Sequence, residues 1–305
     1  MLIRKILGSI LLLLFAVINT AGAMTSTNYQ INFDSINSGG TDFSSSTSYQ
    51  MNDTFGEQGT GYSSSSNHLL HAGYRQSDEG FEPSLSFEIG VQENSTQTTY
   101  SALSLAAKTV TVADATDYAT GSYIGVVENQ GLGQNFVIGR ITDVLGSVIY
   151  VDAWEGTTST IGLIPAGGDD YVYRMDNHNL DFGNMNYGVG YTGIVYTNVN
   201  TTAENGFTVQ IQSDGYFNNG TEHIVDVSDG TVSTDAEEYG ARVYGYHATS
   251  TGFDFPVTST FREIQMGTST ASNSRVGMIY KINTTPVTPA GYYRQTVRYI
   301  VTANF

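Results

Sequence analysis

The sequence predicts an all-β protein: a β-sandwich carrying an inserted small β-barrel-like domain, preceded by an N-terminal β-repeat region. Three observations carry this expectation. Only 13% of residues are charged, and Ser, Thr, Gly, Asn and Tyr stand where a helical protein would use Ala, Leu, Glu and Lys. Short apolar runs are separated by glycine-bearing turns along most of the chain. The segment Gly291–Phe305 alternates with a period of two. Tyr293, Val297, Tyr299, Val301, Ala303 and Phe305 fall on one face, and Arg294, Thr296, Arg298, Thr302 and Asn304 on the other, with Ile300 the one apolar intruder. Successive strand side chains point to opposite faces, so this is a strand with one buried and one wet side.

Taken in order, the chain starts with Arg4-Lys5 and an apolar run from Ile6 to Ile18, ending at Ala21-Gly22-Ala23. A positive start, an apolar middle and small residues at the end are the marks of a signal peptide over residues 1–23. The run falls short of the ~20 residues that span a bilayer, so no membrane span is expected once it is removed. The chain has no cysteine, which removes disulfides and thiolate metal sites and points to a bacterial exported protein. Its formal charge of −17 falls by two, to −19, when Arg4 and Lys5 leave with the leader. Such a surface repels nucleic acid and anionic lipid.

Residues 24–76 repeat. Ser26-Thr-Asn-Tyr29, Ser46-Thr-Ser-Tyr49 and Ser66-Asn-His-Leu69 recur, and Gly40-Thr-Asp-Phe43-Ser matches Gly59-Thr-Gly-Tyr62-Ser. Matched aromatics between Gly-rich turns predict a small repeated β-unit in place of a plain Ser/Gly linker.

Ser84–Val91 alternates Leu85, Phe87, Ile89 and Val91, a strand. Five short strands then follow, around Lys108–Val112, Ser122–Val127, Phe136–Ile141, Val148–Val151 and Asp170–Tyr173. From Asn179 the composition again matches that of the chain before residue 92. Strands near Thr192–Thr197, Gly206–Ile211, Arg242–Tyr246, Thr260–Ile264 and Arg275–Ile282 lead to the terminal strand.

Four segments carry a resemblance: Asn179-Leu-Asp-Phe-Gly183, Thr201-Thr-Ala-Glu-Asn-Gly206-Phe-Thr-Val209, Ile282-Asn-Thr-Thr-Pro-Val-Thr-Pro-Ala-Gly291-Tyr-Tyr293 and Val301-Thr-Ala-Asn-Phe305. Together with residues 84–91, the region 179–305 resembles bacterial WxL-type cell-surface domains and, more distantly, fimbrial and spore-coat-U subunits. The Trp-x-Leu signatures themselves are absent, since Trp154, the one tryptophan, is followed by Glu-Gly. The resemblance implies an exported surface sandwich in which a strand like Ser84–Val91 directly precedes the Asp-Phe-Gly turn. Residues 84–95 plus 179–305 are therefore expected to form the sandwich, and 96–178 the inserted domain.

Candidate chemistry is sparse. His68-x-x-His71 puts two histidines on opposite sides of a strand, unsuited to chelation. Asp169-Asp170 and Glu237-Glu238 are adjacent carboxylates, which on a strand point apart, although glycosidases use carboxylate pairs. Asp226, Asp229, Asp114 and Asp117 could offer oxygens to calcium, but their spacing suits turn-capping better. The 21 tyrosines could form sugar-stacking platforms or simply pack across strands. Asn52, Asn94, Asn200, Asn219 and Asn283 head Asn-x-Ser/Thr triplets, which matter only in a eukaryotic host. No nucleophile elbow, phosphate-binding loop or His-Glu-x-x-His is present.

The resulting expectation is a secreted, non-enzymatic cell-surface protein, structural or adhesive, with no catalytic, cofactor or metal residues assigned. Its partner would be a cell envelope, a glycan or a protein surface, with self-association open. A carbohydrate-binding or glycan-acting protein is one alternative. An outer-membrane barrel ending on Phe305 is another, although most strands here are shorter than the 9–11 residues that a spanning strand needs.

Overall fold

In a computed structural model the chain is described in full from Ser84 to Phe305, and before that as backbone for residues 39–45, 50–55, 61–64 and 69–72. The chain divides into two compact units, Met1–Glu82 and Pro83–Phe305. In the first, β1 (Gly39–Ser45) pairs with β2 (Gln50–Phe55), and β3 (Gly61–Ser64) pairs with β4 (Leu69–Ala72), both antiparallel. Phe43 and Tyr62, matched in the repeat, lie in β1 and β3.

The second unit is all-β, built as a β-sandwich. It begins with β5 (Leu85–Thr98), β6 (Tyr100–Ser104), β7 (Thr109–Val112), β8 (Tyr123–Glu128) and β9 (Asn135–Leu145). Next come β10 (Val148–Val151), β11 (Glu155–Gly156), β12 (Tyr171–Asn177), β13 (Tyr191–Thr201) and β14 (Phe207–Ser213). The remainder are β15 (Phe217–Asn218), β16 (His223–Ile224), β17 (Glu238–Tyr244), β18 (Arg262–Gly267), β19 (Ala271–Asn283) and β20 (Val297–Ala303). One large antiparallel sheet runs β17-β19-β13-β5-β12-β8-β9-β10-β7-β6, with β11 attached to β9. A second sheet, β18-β14-β20, covers one face of its β17-β19-β13-β5 end.

Between these two layers lies the sandwich core, which includes Val195, Val199, Phe207, Val209, Val276 and Met278. The central strands are buried on both faces. On the far side of β13 and β19, Ile194, Tyr196 and Ile279 pack against Tyr123, Phe136, Ile138, Tyr173 and Met175. A strand covered on both sides loses its alternation and reads as a continuous apolar run, as residues 194–196 and 276–280 do. Each large side chain so buried stabilises by about 1.5–3 kcal/mol. A third cluster, with Val110, Val126, Val137, Ile149 and Val172, fills the space where β6, β7 and β10 fold over β8 and β12.

β5 joins the two ends of the large sheet. Leu85–Val91 pairs with β13, while Val91, Glu93 and Thr98 pair with Asn177, Arg174 and Val172 of β12 across two register shifts. The shifts bend the strand, as bulges do. Gly90 sits at the bend, where a Cβ would collide with the Met175 carbonyl and the Tyr196 ring. The expected boundary at 95/96 therefore falls inside one continuous strand, and that at 178/179 falls just after β12.

The barrel-like closure expected of residues 96–178 does not form. Closing it would require β12 to pair with β6, but that edge of β12 is taken by β5. None of the sheets among the described residues closes into a barrel.

β20 answers the alternation seen in the sequence. Val297, Tyr299 and Val301 pack against the sandwich core, while Arg298, Ile300 and Thr302 are exposed. The packed face is only half-buried because β20 lies at a sheet edge.

Candidate functional site

A recess opens where the two sandwich layers part, between the first half of β5 and β20. It is a cleft of about 950 Å³. Val91, Val195 and Tyr280 line it from the large sheet, and Val297 and Tyr299 from β20. The loops around Asn179–Tyr187 and Thr284–Thr296 form its walls.

Aromatic rings stack along it. Tyr280 and Tyr239 are 6.1 Å apart at 19°, Tyr239 and Phe217 are 4.9 Å apart at 24°, and Phe217 and Tyr293 are 6.4 Å apart at 11°. Phe182 meets Phe217 edge-on at 6.1 Å. These are the offset and edge geometries that ring quadrupoles favour. The Tyr280 and Tyr299 hydroxyls share a hydrogen bond of 2.7 Å. Burial drives both phenols, and that of Tyr239, well above the ordinary tyrosine range, so they stay neutral.

Local bonds hold the walls in place. The Asp181 carboxylate accepts the Gly183 N–H at 2.7 Å, and the Asn94 amide of β5 donates to the Asp181 carbonyl at 2.8 Å. Tyr293 donates its hydroxyl to the Pro289 carbonyl at 2.8 Å. At the rim Tyr292 and Tyr187 stand in solvent.

Both layers leave a backbone edge unpaired beside the cleft, among the described residues. β20 bonds only to β14. Asn304 donates to the Gly206 carbonyl and Asp214 to the Thr296 carbonyl. Antiparallel bonding alternates along a strand, so even-numbered residues bond inward and Val297, Tyr299, Val301 and Ala303 present their N–H groups outward. The opposite edge of this sheet is covered: Met266 donates to the His247 carbonyl and Thr249 to that of Ile264. β5 likewise pairs only with β13 over Leu85–Gly90.

The candidate residues of the sequence lie elsewhere or do other work. His71 is in β4, paired with Tyr62, and His68 lies outside the described residues. Asp170 is buried and accepts the N–H groups of Asn129, Ala166 and Gly167, whereas Asp169 is exposed. Glu237 bonds Thr288, and Glu238 accepts the Ser233 N–H at 3.0 Å. Asp114 and Asp229 cap their own turns through Thr116 and Thr231. Asp117 lends its carbonyl to Arg174. Burial pushes Asp226 up to about 6, against the attraction of His223, and its Oδ1 is buried without a partner.

Asn94 is exposed, Asn200 in β13 accepts the N–H of Asn273 in β19, Asn219 holds its own turn, and Asn283 is fully buried on the Ala236 carbonyl, closed to any modification. Asn52 lies in β2. Among the described residues no three His, Asp or Glu side chains converge as metal ligands.

Two polar clusters have no local signal in the sequence. Asp254 is buried between Arg242 at 2.6 Å and Lys281 at 3.2 Å. Burial lowers the Lys281 pKa, and the Asp254 charge opposes that. At the junction of β8, β13 and β5, Glu88 accepts the Tyr123 hydroxyl at 2.7 Å and the Asn198 amide at 3.0 Å. Arg275 lies over the Tyr123 ring at 5.0 Å.

No protein-family model, no curated protein and no solved structure matches this chain.

Proposed function

We propose that this chain is a secreted, non-enzymatic surface protein, structural or adhesive, that assembles with its own copies along the bare edge of β20. The observation that carries this is the pairing of an unpaired strand edge with an apolar cleft. A bare edge is a template for another strand, and native proteins ordinarily blunt or cover it. Among the described residues the β18 edge is covered and the β20 edge is not. A strand added to β20 would gain main-chain bonds from the outward amides and would place alternate side chains over the cleft floor. The leader-like residues 1–23 and the likeness to bacterial surface domains support the exported, surface setting.

The test is sedimentation velocity of the mature chain across a concentration series, with Val301→Pro and Val301→Ala alongside. Proline removes one outward N–H without touching the β14 ladder, a change that edge strands tolerate. Concentration-dependent assembly should persist in Val301→Ala and disappear in Val301→Pro. Assembly unaffected by proline, or a monomer at all concentrations, would refute the reading.

A further inference from the structure

A second recess, remote in sequence from the cleft lining, lies where β11 approaches the start of β19 and the β17–β18 connection. It measures about 280 Å³, just below the ~300–1,000 Å³ range of ligand pockets, room for one small ring. Its lining comes from three distant segments: Glu155, Tyr246-His247 and residues 270–275.

Each group there is held in place. Glu155 is half-buried and set by the pairing of β11 with β9, and burial raises its pKa although Arg275 pulls it down. His247 engages Ser274 Oγ through Nδ1 at 2.6 Å, which leaves Nε2 for a ligand. Ser274 is itself fixed by Gln265 Nε2 at 3.0 Å, and Gln265 by the Thr197 hydroxyl at 2.7 Å, a chain of bonds anchored in the core. Asn273 adopts a left-handed backbone (φ 52°), its N–H held by Asn200 Oδ1 at 2.7 Å. Arg275 is 3% exposed, and its Nε is buried without a hydrogen-bond partner.

Over this polar floor stands Tyr246, 87% exposed, with its ring centroid 4.6 Å from that of His247. Gly245 (φ 137°) makes the turn that puts it there, and a Cβ would crowd the Arg275 carbonyl.

The lining selects a ligand class by elimination. An anion would meet the Glu155 carboxylate, and a cation would meet the Arg275 guanidinium without a set of converging acidic ligands. A wholly apolar ligand would strand a carboxylate, an imidazole and an amide without partners, which buried polar groups do not tolerate. What remains is a neutral molecule with donors and acceptors around its rim and a C–H face for the tyrosine ring. A pyranose has both.

We propose that this pocket binds one neutral sugar ring of a glycan, stacked on Tyr246 and hydrogen-bonded by Glu155, His247 and Asn273. The site is independent of strand pairing at β20 and stands or falls alone.

Saturation-transfer NMR on the mature chain tests it, with glucose, galactose, mannose and N-acetylglucosamine as probes at millimolar concentration and sialic acid as the charged comparison. At least one neutral sugar should bind saturably. Tyr246→Ala and Glu155→Gln should each weaken that binding about tenfold, the effect of losing a stacking or polar anchor, with melting unchanged in Tyr246→Ala. Tyr292→Ala, at the rim of the large cleft, should bind as the parent does. Absence of saturable binding by every neutral sugar, tighter binding of sialic acid, undiminished binding in both pocket variants, or loss in Tyr292→Ala would overturn the proposal.

Discussion

Arg275 and Asp152 stand 123 residues apart in sequence and 2.8 Å apart in space, Nη2 to Oδ2. Arg275 belongs to β19 in the sandwich, and Asp152 follows β10 in the region expected to be an insertion. With Ala153 O at 3.1 Å from Nη1 and Tyr123 beneath the guanidinium, this pair bolts residues 96–178 to the sandwich body.

Removing one partner of a buried ion pair strands the other charge. Asp152→Ala should cost about 3 kcal/mol, the low end of the range for such pairs, because Asp152 keeps 28% of its side-chain exposure. The urea midpoint of unfolding reads this directly. A loss no larger than that of an exposed control would show the pair to be ornamental.

The pH dependence has a definite sign. Burial raises the Asp152 pKa, but Arg275 and the N–H groups of Arg140 and Ala153 outweigh it, and Glu88 is held low in the same way by Tyr123, Asn198, Arg140 and Arg275. Both carboxyls therefore titrate lower in the folded state than in the unfolded state. The stability they contribute is present above the unfolded carboxylate pKa and is lost as pH falls through their folded values. Glu88→Gln with Asp152→Asn should flatten the acid limb of a melting-temperature profile.

Asp226 behaves oppositely. Burial pushes it up to about 6, so the fold favours its protonated form. Stability from this group is full below the unfolded pKa and declines as pH rises toward about 6. Asp226→Asn should raise the melting temperature at pH 7 and leave it nearly unchanged at pH 4.

On β20, Val301 faces the core and Arg298 faces solvent. Val301→Asp should cost about 1–3 kcal/mol, moderated by its half-burial, and Arg298→Asp within about 0.5 kcal/mol of nothing. Equal damage from both, read by chemical denaturation, would show that the strand is covered on two sides.

Gly90→Ala should destabilise by about 1–3 kcal/mol through overpacking against the Met175 carbonyl and Tyr196. Relaxation of Tyr196 away from Tyr123, with which it stacks at 4.2 Å, would appear in the near-ultraviolet circular dichroism.

The alternation of β20 is legible in the sequence because one face is wet and the period of two survives. β13 and β19 hide their role, since burial on both faces erases the alternation that marks a strand's inner side. The path of β5 through the expected 95/96 boundary depends on bulges and on Gly90, and neither has a local sequence mark. The site residues are harder still. Adjacent acids such as Asp169-Asp170 stand out in the sequence, yet one is buried in a turn and the other faces solvent. Glu155, Tyr246 and Asn273 converge only through the pairing of distant strands. The same holds for Asp254 between Arg242 and Lys281.

Amide hydrogen exchange on the mature chain, dilute and then concentrated, probes the bare edge of β20 most directly. In dilute solution the N–H groups of Val297, Tyr299, Val301 and Ala303 should exchange fast while those of Arg298, Ile300 and Thr302, bonded to β14, are protected. On concentration the four outward amides should become protected together. Fast exchange of all four at every concentration, with no assembly, would contradict the proposal that this edge joins one molecule to the next.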